Sequence, residues 1–160
     1  MRLLVLNGPN LNLLGTREPD VYGAGTLADL EAEVRAALPD IAFTFAQSNH
    51  EGVLLDYVHA ALTDGTDGLV VNFGALSHTS VALRDALAAI RPVPTVEVHI
   101  SNVHAREAFR HTLLTAGACV GVVSGLGRAG YALAARFLAS HIAANHIVAH
   151  RGGAGASERR

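Results

Sequence analysis

The chain has 160 residues, half of them hydrophobic and 16% charged, and its formal net charge at pH 7 is −2. This length fits one domain with a sizeable core, and the nearly neutral charge balance gives no support to a nucleic-acid-binding protein. All 12 basic residues are Arg, which excludes lysine Schiff-base chemistry and a Walker-type phosphate lysine.

The number of cysteines and the lengths of the apolar runs indicate the cellular compartment. Cys119 is the one cysteine, so an intramolecular disulfide is excluded, and we expect a buried, inert thiol. No apolar run approaches the roughly 20 residues of a membrane span. The first residues lack the length and cleavage pattern of a signal peptide, so we expect a cytoplasmic protein.

Short apolar runs that stop at turn-forming residues predict five strands. These strands cover residues 3–6, 41–46, 68–73, 95–100 and 118–123. Residues 8–25 are rich in glycine, proline and asparagine and show no periodicity. They predict a long loop after the first strand, and such loops in compact domains are usually functional.

Apolar positions at helical spacing predict five helices that alternate with these strands. The fourth is expected to be short and to end at His111, and the fifth to run from about 130 to about 146. The expected N-caps of the first four helices, in chain order, are Thr26, Ser48 or Asn49, Thr79 or Ser80, and Ser101 or Asn102.

This alternation predicts an α/β fold with a parallel sheet and helices on both faces. Right-handed crossovers favour a flavodoxin-like, doubly wound strand order, 2-1-3-4-5. We expect residues 1–148 to form a single catalytic domain. Residues 149–160 are rich in Gly, Ala and Arg, and we expect an unstructured tail there.

Polar side chains follow strands 1, 3 and 4, which are neighbours in that order. Ligands bind such sheets beyond the carboxyl ends of the strands, so these side chains are expected to share one crevice. They are Asn7, Asn10, Arg17 and Tyr22 after strand 1, Asn72, Ser77 and His78 after strand 3, and Glu97, His99, Ser101 and Asn102 at strand 4.

The residue types in this crevice suit acid–base chemistry. The usual pKa of His is near 6.5, which suits His99 as a general acid, and Glu97 lies on the same face of its strand. The phenol of Tyr22 is a poor base at its usual pKa of about 10, but a cation such as Arg17 nearby favours tyrosinate. The pattern predicts a proton-transfer site without lysine.

The same crevice suits a small polar anion. The Ser101-Asn102 turn opens a predicted helix, whose unpaired N–H groups favour a carboxylate or phosphate. Asn10 or Asn72 is placed to stabilise an enolate oxygen. Purely structural interpretations stay open for single elements: turn chemistry at 7–10, a structural His99–Glu97 pair, a surface pair of Arg17 with Glu18, and a solvated face carrying Arg106 and Arg110.

Two other motifs are interpreted structurally. Gly125, Gly127 and Gly130 match G-x-G-x-x-G, but the strand and acidic residue that a dinucleotide site needs do not follow, so we predict a tight turn with close helix–sheet packing. Nine His residues raise the question of a metal, yet the pairs at 99/104 and 146/150 lack carboxylate or Cys companions, and no metal is expected.

A long ordered set of motifs gives the sequence a close resemblance to the type II 3-dehydroquinate dehydratases. The blocks are residues 7–15 (NGPNLNLLG), Arg17-Glu18-Pro19, Tyr22-Gly23, Asn72 with Gly74, residues 78–86, residues 97–107, and Gly125-Leu126-Gly127 with Gly130-Tyr131. They span residues from about 2 to about 146 with family-like spacing.

The resemblance implies a cofactor-free hydro-lyase of the shikimate pathway that converts 3-dehydroquinate to 3-dehydroshikimate by anti elimination through an enolate. By matching motif, Tyr22 would take the C2 proton and Arg17 would lower its pKa and close with a lid. Asn10, through a water, would stabilise the enolate. His99, oriented by Glu97, would protonate the departing C1 hydroxyl.

Substrate binding is implied in the same way. Ile100 and Ser101 would hold the carboxylate, largely through backbone N–H groups. Asn72, His78 and Arg110 would bind ring hydroxyls. The family is typically a dodecamer, a tetramer of trimers, and so the resemblance implies that Asp85 reaches the site of a neighbouring subunit near its Arg17.

The chain departs from the family pattern at two places before the tail. Phe73 stands where the family usually has a small residue or proline, and residues 112–117 differ from the usual stretch after Arg110. Two other functions stay open from the residues alone: a non-catalytic small-anion-binding module, suggested by the Ser101-Asn102 turn with Arg106 and Arg110, and a flavodoxin-like nucleotide or flavin protein.

Overall fold

The computed structural model describes residues 1–16 and 25–154, with side chains described up to residue 145. Its five strands are β1 (Arg2–Asn7), β2 (Ala42–Gln47), β3 (Gly68–Asn72), β4 (Thr95–His99) and β5 (Gly121–Ser124). Its four α-helices are α1 (Leu27–Ala37), α2 (Glu51–Ala60), α3 (Val81–Ala89) and α4 (Ala129–Ala154).

The strands form one parallel sheet in the order β2-β1-β3-β4-β5, which confirms the predicted topology. The register aligns the carboxyl ends of the central strands. Asn7 lies opposite Asn72 across β1 and β3, and His99 lies opposite Ser124 across β4 and β5. Side chains that end these strands are therefore gathered along one edge of the sheet.

Helices cover both faces because the central strands carry apolar side chains on both sides. On one face Leu3 and Val5 pack with residues of α1 and α4, such as Leu30 and Leu138. On the other face Leu4 and Leu6 pack with residues of α2 and α3, including Leu54, Val58, Leu83 and Leu87. β3, buried along its whole length, lies at the centre of both layers.

Two helices begin at predicted caps. The Thr26 hydroxyl accepts a hydrogen bond from the backbone N–H of Asp29 (3.2 Å), and the Asp29 carboxylate accepts one from the Thr26 backbone (2.9 Å), which completes a capping box. Ser80 accepts a hydrogen bond from the backbone N–H of Leu83 at 2.9 Å and begins α3.

The predicted cap of the second helix is wrong, because His50 is the N-cap of α2. The two predicted side chains are used in other contacts. Ser48 accepts a hydrogen bond from the backbone N–H of His50 itself, at 3.0 Å. The side-chain oxygen of Asn49 accepts one from the backbone N–H of Asn10, 39 residues away.

The predicted fourth helix is not continuous. Asn102 does act as a cap, accepting a hydrogen bond from the backbone N–H of His104, but two short 3₁₀ helices, Val103–Ala105 and Ala108–His111, replace one α-helix. Extended backbone at Arg106 and Glu107 separates them. A helix this short has little intrinsic stability, so side-chain contacts of these residues decide the local structure.

The last two elements differ from the predicted bounds. β5 begins at Gly121 rather than at 118, since Ala116–Ala118 forms a 3₁₀ helix. The last helix runs to Ala154 and not to about 146. The predicted unstructured tail is therefore wrong for residues 149–154, which are helical. Residues 155–160 lie outside the described residues, where the tail stays a prediction, as does the single catalytic domain.

Candidate functional site

A cleft opens at the carboxyl edge of the sheet, beyond β1, β3 and β4. It contains about 740 Å³ of space, including solvent at its mouth. The predicted switch point of the doubly wound sheet is therefore an open binding site. Its polar and charged lining comes from Asn10, Asn72, His78, His99, Ser101, Arg106 and Arg110, and apolar side chains including Leu11, Leu13, Leu14, Ile100 and Val103 complete the wall.

A buried carboxylate orients the imidazole at the end of β4. Glu97 is fully buried, and its Oε1 lies 2.7 Å from Nε2 of His99, which is 6% exposed. A carboxylate accepts hydrogen bonds, so Nε2 of His99 carries the proton of this contact. Nδ1 is then the ring nitrogen that this contact leaves available to a molecule in the cleft.

A second imidazole stands beside the first. The rings of His78 and His99 stack with their centroids 6.0 Å apart and an angle of 25° between their planes. Nδ1 of His78 donates a hydrogen bond to the backbone oxygen of Thr112 at 2.9 Å. A carbonyl oxygen only accepts, so neutral His78 presents Nε2 as a hydrogen-bond acceptor, which suits a substrate hydroxyl.

Asn72 is held by a buried phenol from α4. The hydroxyl of Tyr131 accepts a hydrogen bond from Nδ2 of Asn72 (2.8 Å) and donates one to Oδ1 of Asn7 (2.7 Å). Asn72 Oδ1 accepts from the backbone N–H of Gly74 (3.1 Å), so both ends of this amide are oriented. Burial raises the pKa of Tyr131 further above its usual value, so this hydroxyl stays protonated.

Asn10 projects from a tightly held loop after β1. Its φ of 68° lies in the left-handed region, which Asn tolerates better than most residues. Asn49 accepts from the backbone N–H of Asn10 at 2.9 Å and from Nε2 of Gln47 at 3.0 Å. A Cβ at Gly8 would come within 2.6 Å of the Phe73 carbonyl oxygen, so this loop packs directly against the loop after β3.

The turn after β4 is anchored on the β5 side. The carbonyl oxygen of Ile100 accepts a hydrogen bond from the backbone N–H of Gly127 at 3.0 Å. The carbonyl oxygen of Ser101 accepts one from the hydroxyl of Ser124 at 3.2 Å. Both residues line the cleft, so these bonds fix the backbone on the side opposite a bound molecule.

Two guanidinium groups form the charged wall of the cleft. Arg106 donates to the Ser101 hydroxyl (3.3 Å) and lies 3.3 Å from the Glu107 carboxylate, which also accepts from Nε of Arg110 (2.8 Å). Hydrogen bonds from its own backbone and from Arg110 lower the pKa of Glu107. Two cations with one carboxylate leave a surplus of positive charge, which suits an anionic ligand.

The glycine motif after β5 serves packing, as predicted. Gly125 and Gly127 have φ of 84° and 60°, a region that L side chains rarely adopt. A Cβ at Gly130 would lie 3.2 Å from Val123 and 3.4 Å from Val98. These glycines let α4 approach β4 and β5 closely, and α4 is the last element of the described chain.

Cys119 is half-buried rather than fully buried. Its thiol lies 4.0 Å from Oε2 of Glu97 and 3.5 Å from the Thr115 carbonyl oxygen. Burial, and then the negative charge of Glu97, raise the pKa of Cys119 to about 12. The group is therefore a protonated thiol at neutral pH, as an inert thiol requires.

Most predicted site residues of the described chain meet at the cleft. Asp85 does not: its carboxylate, 61% exposed on α3, pairs with Arg84 at 2.7 Å. Arg17 and Tyr22 lie outside the described residues, so their placement stays a prediction. Those that line the cleft are Asn10, Asn72, His78, His99, Ile100, Ser101 and Arg110, with Glu97 buried directly behind His99.

Sequence reasoning missed side chains that hold the site from behind. The sequence indicates Tyr131 only as part of a family motif. It offers Arg106 as a solvated-face residue or, with Arg110, as part of an anion-binding module, and Arg106 lines the cleft. Thr115 is fully buried and donates to Glu97 at 2.6 Å. An isolated Thr between Leu114 and Ala116 carries no signal of such a role, since its partner is 18 residues away.

The described residues contain neither a cluster of metal ligands nor a helix that could span a membrane. Across 1–16 and 25–154 there is no group of three or more His, Cys, Asp or Glu side chains arranged to hold a metal ion. None of the helices in the same ranges combines the length and apolar character of a membrane span.

The comparisons with known proteins agree on one family. A family model described as class II dehydroquinase matches residues 1–139. The 3-dehydroquinate dehydratase of Deinococcus radiodurans is 58% identical over 139 residues, 86% of this chain and 96% of that protein. That of Jannaschia sp. (strain CCS1) is 54% identical over 144 residues, 89% of this chain and 96% of that protein.

Solved structures give the same result. The crystal structure of the type II dehydroquinase from Butyrivibrio crossotus has a TM-score of 0.85 to this chain and is 44% identical, covering 86% of this chain and 97% of that one. The type II dehydroquinase from Propionibacterium acnes has a TM-score of 0.82 at 40% identity, with 87% and 96% covered.

Tyr131→Phe tests the buried bridge between the strand ends. Removing the hydroxyl leaves the amides of Asn7 and Asn72 without their shared partner, so we expect the free energy of unfolding to fall by about 2–4 kcal/mol. Tyr57→Phe is the control, since Tyr57 is 39% exposed and should change stability by less than about 0.5 kcal/mol. Urea titration measures both, and equal stability of the two variants would contradict the bridge.

Proposed function

The chain belongs to the class II dehydroquinase family, and we propose that it removes water from 3-dehydroquinate to give 3-dehydroshikimate, a step of the shikimate pathway in aromatic amino-acid biosynthesis. The observation that carries this proposal is the cleft at the carboxyl edge of the sheet. It combines an imidazole backed by a buried carboxylate, oriented amides and a positively charged wall. The substrate, a hydroxylated cyclic carboxylate, needs each of these groups.

We propose that His99 is the general acid of the elimination. Its Nε2 is fixed by Glu97, so the imidazolium delivers a proton from Nδ1 to the departing C1 hydroxyl, which leaves as water. The carboxylate of Glu97 keeps the ring in one orientation before and after the transfer.

We propose that Tyr22 is the base that takes the C2 proton, on the resemblance of its motif. The guanidinium of Arg17 would favour the phenolate, because a nearby cation stabilises the charged form. The enolate that forms would be stabilised by Asn10 through a bound water. Residues 17–24 follow the Asn10 loop directly, and this proximity along the chain supports the assignment.

The substrate contacts are proposed from the same resemblance. Ile100 and Ser101 would receive the carboxylate at the anchored turn after β4, beside Arg106. Asn72, His78 and Arg110 would bind the ring hydroxyls, and all three line the cleft. The acceptor nitrogen of His78 and the oriented amide of Asn72 support these roles.

The activity is tested with the purified protein and 3-dehydroquinate. We expect the absorbance of the conjugated enone to rise without added nucleotide or metal, and to rise equally after treatment with EDTA. Calorimetric binding of a quinate-like ligand without turnover would instead support the anion-binding module. A coloured protein carrying a flavin would support the third interpretation.

Tyr22→Phe tests the assignment of the base. Removing the phenolic oxygen leaves no acceptor for the C2 proton, so we expect kcat to fall by about 100-fold or more, with an unchanged melting temperature. Tyr57→Phe is the matched control and should keep the kcat of the unaltered protein. A Tyr22→Phe protein with near-normal kcat would refute the assignment.

We also propose a homo-oligomer, a dodecamer by resemblance, in the cytoplasm. Asp85 supports this proposal because its exposed carboxylate lies outside its own chain's cleft and is accessible to a neighbour. Light scattering should give a mass about twelve times that of the chain, and Asp85→Asn should lower activity without unfolding the protein. A monomer of full activity would contradict both the oligomer and the role of Asp85.

A further inference from the structure

We propose that Thr115 is a positioning residue for the proton donor of the cleft, fixing Glu97 so that His99 holds its proton ready for the leaving hydroxyl. This inference rests on the proposed function and adds a residue to its machinery. Thr115 lies just before the 3₁₀ helix Ala116–Ala118, inside the stretch 112–117 where the chain departs from the family pattern.

The two oxygens of Glu97 have separate partners. Oε1 faces Nε2 of His99 at 2.7 Å, and Oε2 accepts the hydroxyl of Thr115 at 2.6 Å. A carboxylate turns easily about its last side-chain bond, since this torsion has broad minima. Held at one oxygen it is free to turn, whereas held at both it keeps Oε1 on the imidazole.

The hydrogen bond between Thr115 and Glu97 is strong because both residues are shielded from water. Glu97 and Thr115 are both fully buried, so water does not replace a missing partner. Hydrogen bonds to an ionised acceptor are about twice as strong as neutral ones, and 2.6 Å is typical of them. The thiol of Cys119 is a weak donor and lies 4.0 Å from the same oxygen, so it is no substitute.

The stretch that carries Thr115 is itself anchored to the other imidazole. The carbonyl oxygen of Thr112 accepts from His78, and the backbone N–H of Leu114 donates to the carbonyl oxygen of Ser77 at 2.8 Å. Thr115 is therefore held against Glu97 by contacts of its stretch with Ser77 and His78, which follow β3. Thr115 is not among the residues that line the cleft, so it acts on a bound molecule only through Glu97.

Loss of the hydroxyl has a defined chemical effect. Oε2 becomes a buried acceptor without its donor, and the carboxylate is free to turn about its last side-chain bond. Oε1 then no longer holds Nε2 of His99, so the imidazole loses its single orientation. Nδ1 is no longer kept toward the departing hydroxyl, and the elimination loses its positioned acid.

Thr115→Val and Thr115→Ser separate this role from packing. Valine keeps the shape and removes the donor, so we expect kcat to fall about 10-fold or more while KM changes less than about twofold. Serine keeps the donor and removes a methyl group, so it should retain kcat within about twofold although its melting temperature falls. Thr63→Val, in the exposed turn after α2, is the control for an unspecific Thr→Val effect.

The result that overturns the proposal is a Thr115→Val protein with unchanged kcat, or a Thr115→Ser protein that loses as much kcat as Thr115→Val. If Thr115→Val does not fold, Thr115→Ala replaces it and is compared with Thr115→Ser, from which it differs only by the hydroxyl oxygen. Equal kcat in that pair also overturns the proposal.

A second measurement is independent of turnover. The ¹⁵N chemical shifts of the His99 ring, assigned against His99→Gln, report which nitrogens carry protons. We expect the neutral ring to carry its proton at Nε2 in the unaltered protein and in Thr115→Ser, and Thr115→Val to show a mixture of the two neutral tautomers. If the variants show this NMR difference but the unaltered protein has no dehydratase activity, the proposed function is wrong and the positioning role stands. If the shifts are the same in all variants, the positioning role is wrong.

Discussion

The buried carboxylate of Glu97 is the constraint around which the cleft is arranged. It lies on β4 between Val96 and Val98, in a sheet whose strands bury mostly apolar side chains on both faces. A charge in such a place is stable only when hydrogen-bonding partners replace water. His99 and Thr115 are those partners, and the site is therefore built from residues that satisfy a buried charge.

A second buried polar cluster joins three distant parts of the chain. Asn7 and Asn72 end neighbouring strands, and Tyr131 reaches them from α4, which the glycines at 125–130 bring close to the sheet. Nδ2 of Asn7 has no hydrogen-bond partner within the described part of the chain. The orientation of Asn72 consequently depends on the docking of the last helix, which couples the geometry of the cleft to global folding.

The layers and the strand order can be predicted from local patterns in the sequence, whereas the contacts that hold the cleft residues in place cannot. Strands such as β3 are short apolar runs between turn residues. The N-caps Thr26 and Ser80 accept hydrogen bonds from backbone N–H groups only three residues further along the chain. By contrast, Asn49 caps no helix, because its oxygen binds the Asn10 loop. Such a contact joins residues whose proximity exists only in the folded chain. The family resemblance assigned roles to the residues of the cleft and to Glu97, but none to Tyr131 or Thr115.

The two halves of the proposed chemistry rest on different kinds of structure. The acid is tied to the sheet through Glu97, Thr115 and the register of β4, so substitutions there affect stability and activity together. The proposed base follows a loop whose described part is held by polar contacts with Asn49 and Gln47 and by Leu11 and Leu14, which pack into the core. A general acid needs one fixed orientation toward its buried counter-charge, and placing it on the strand provides that orientation before substrate binds.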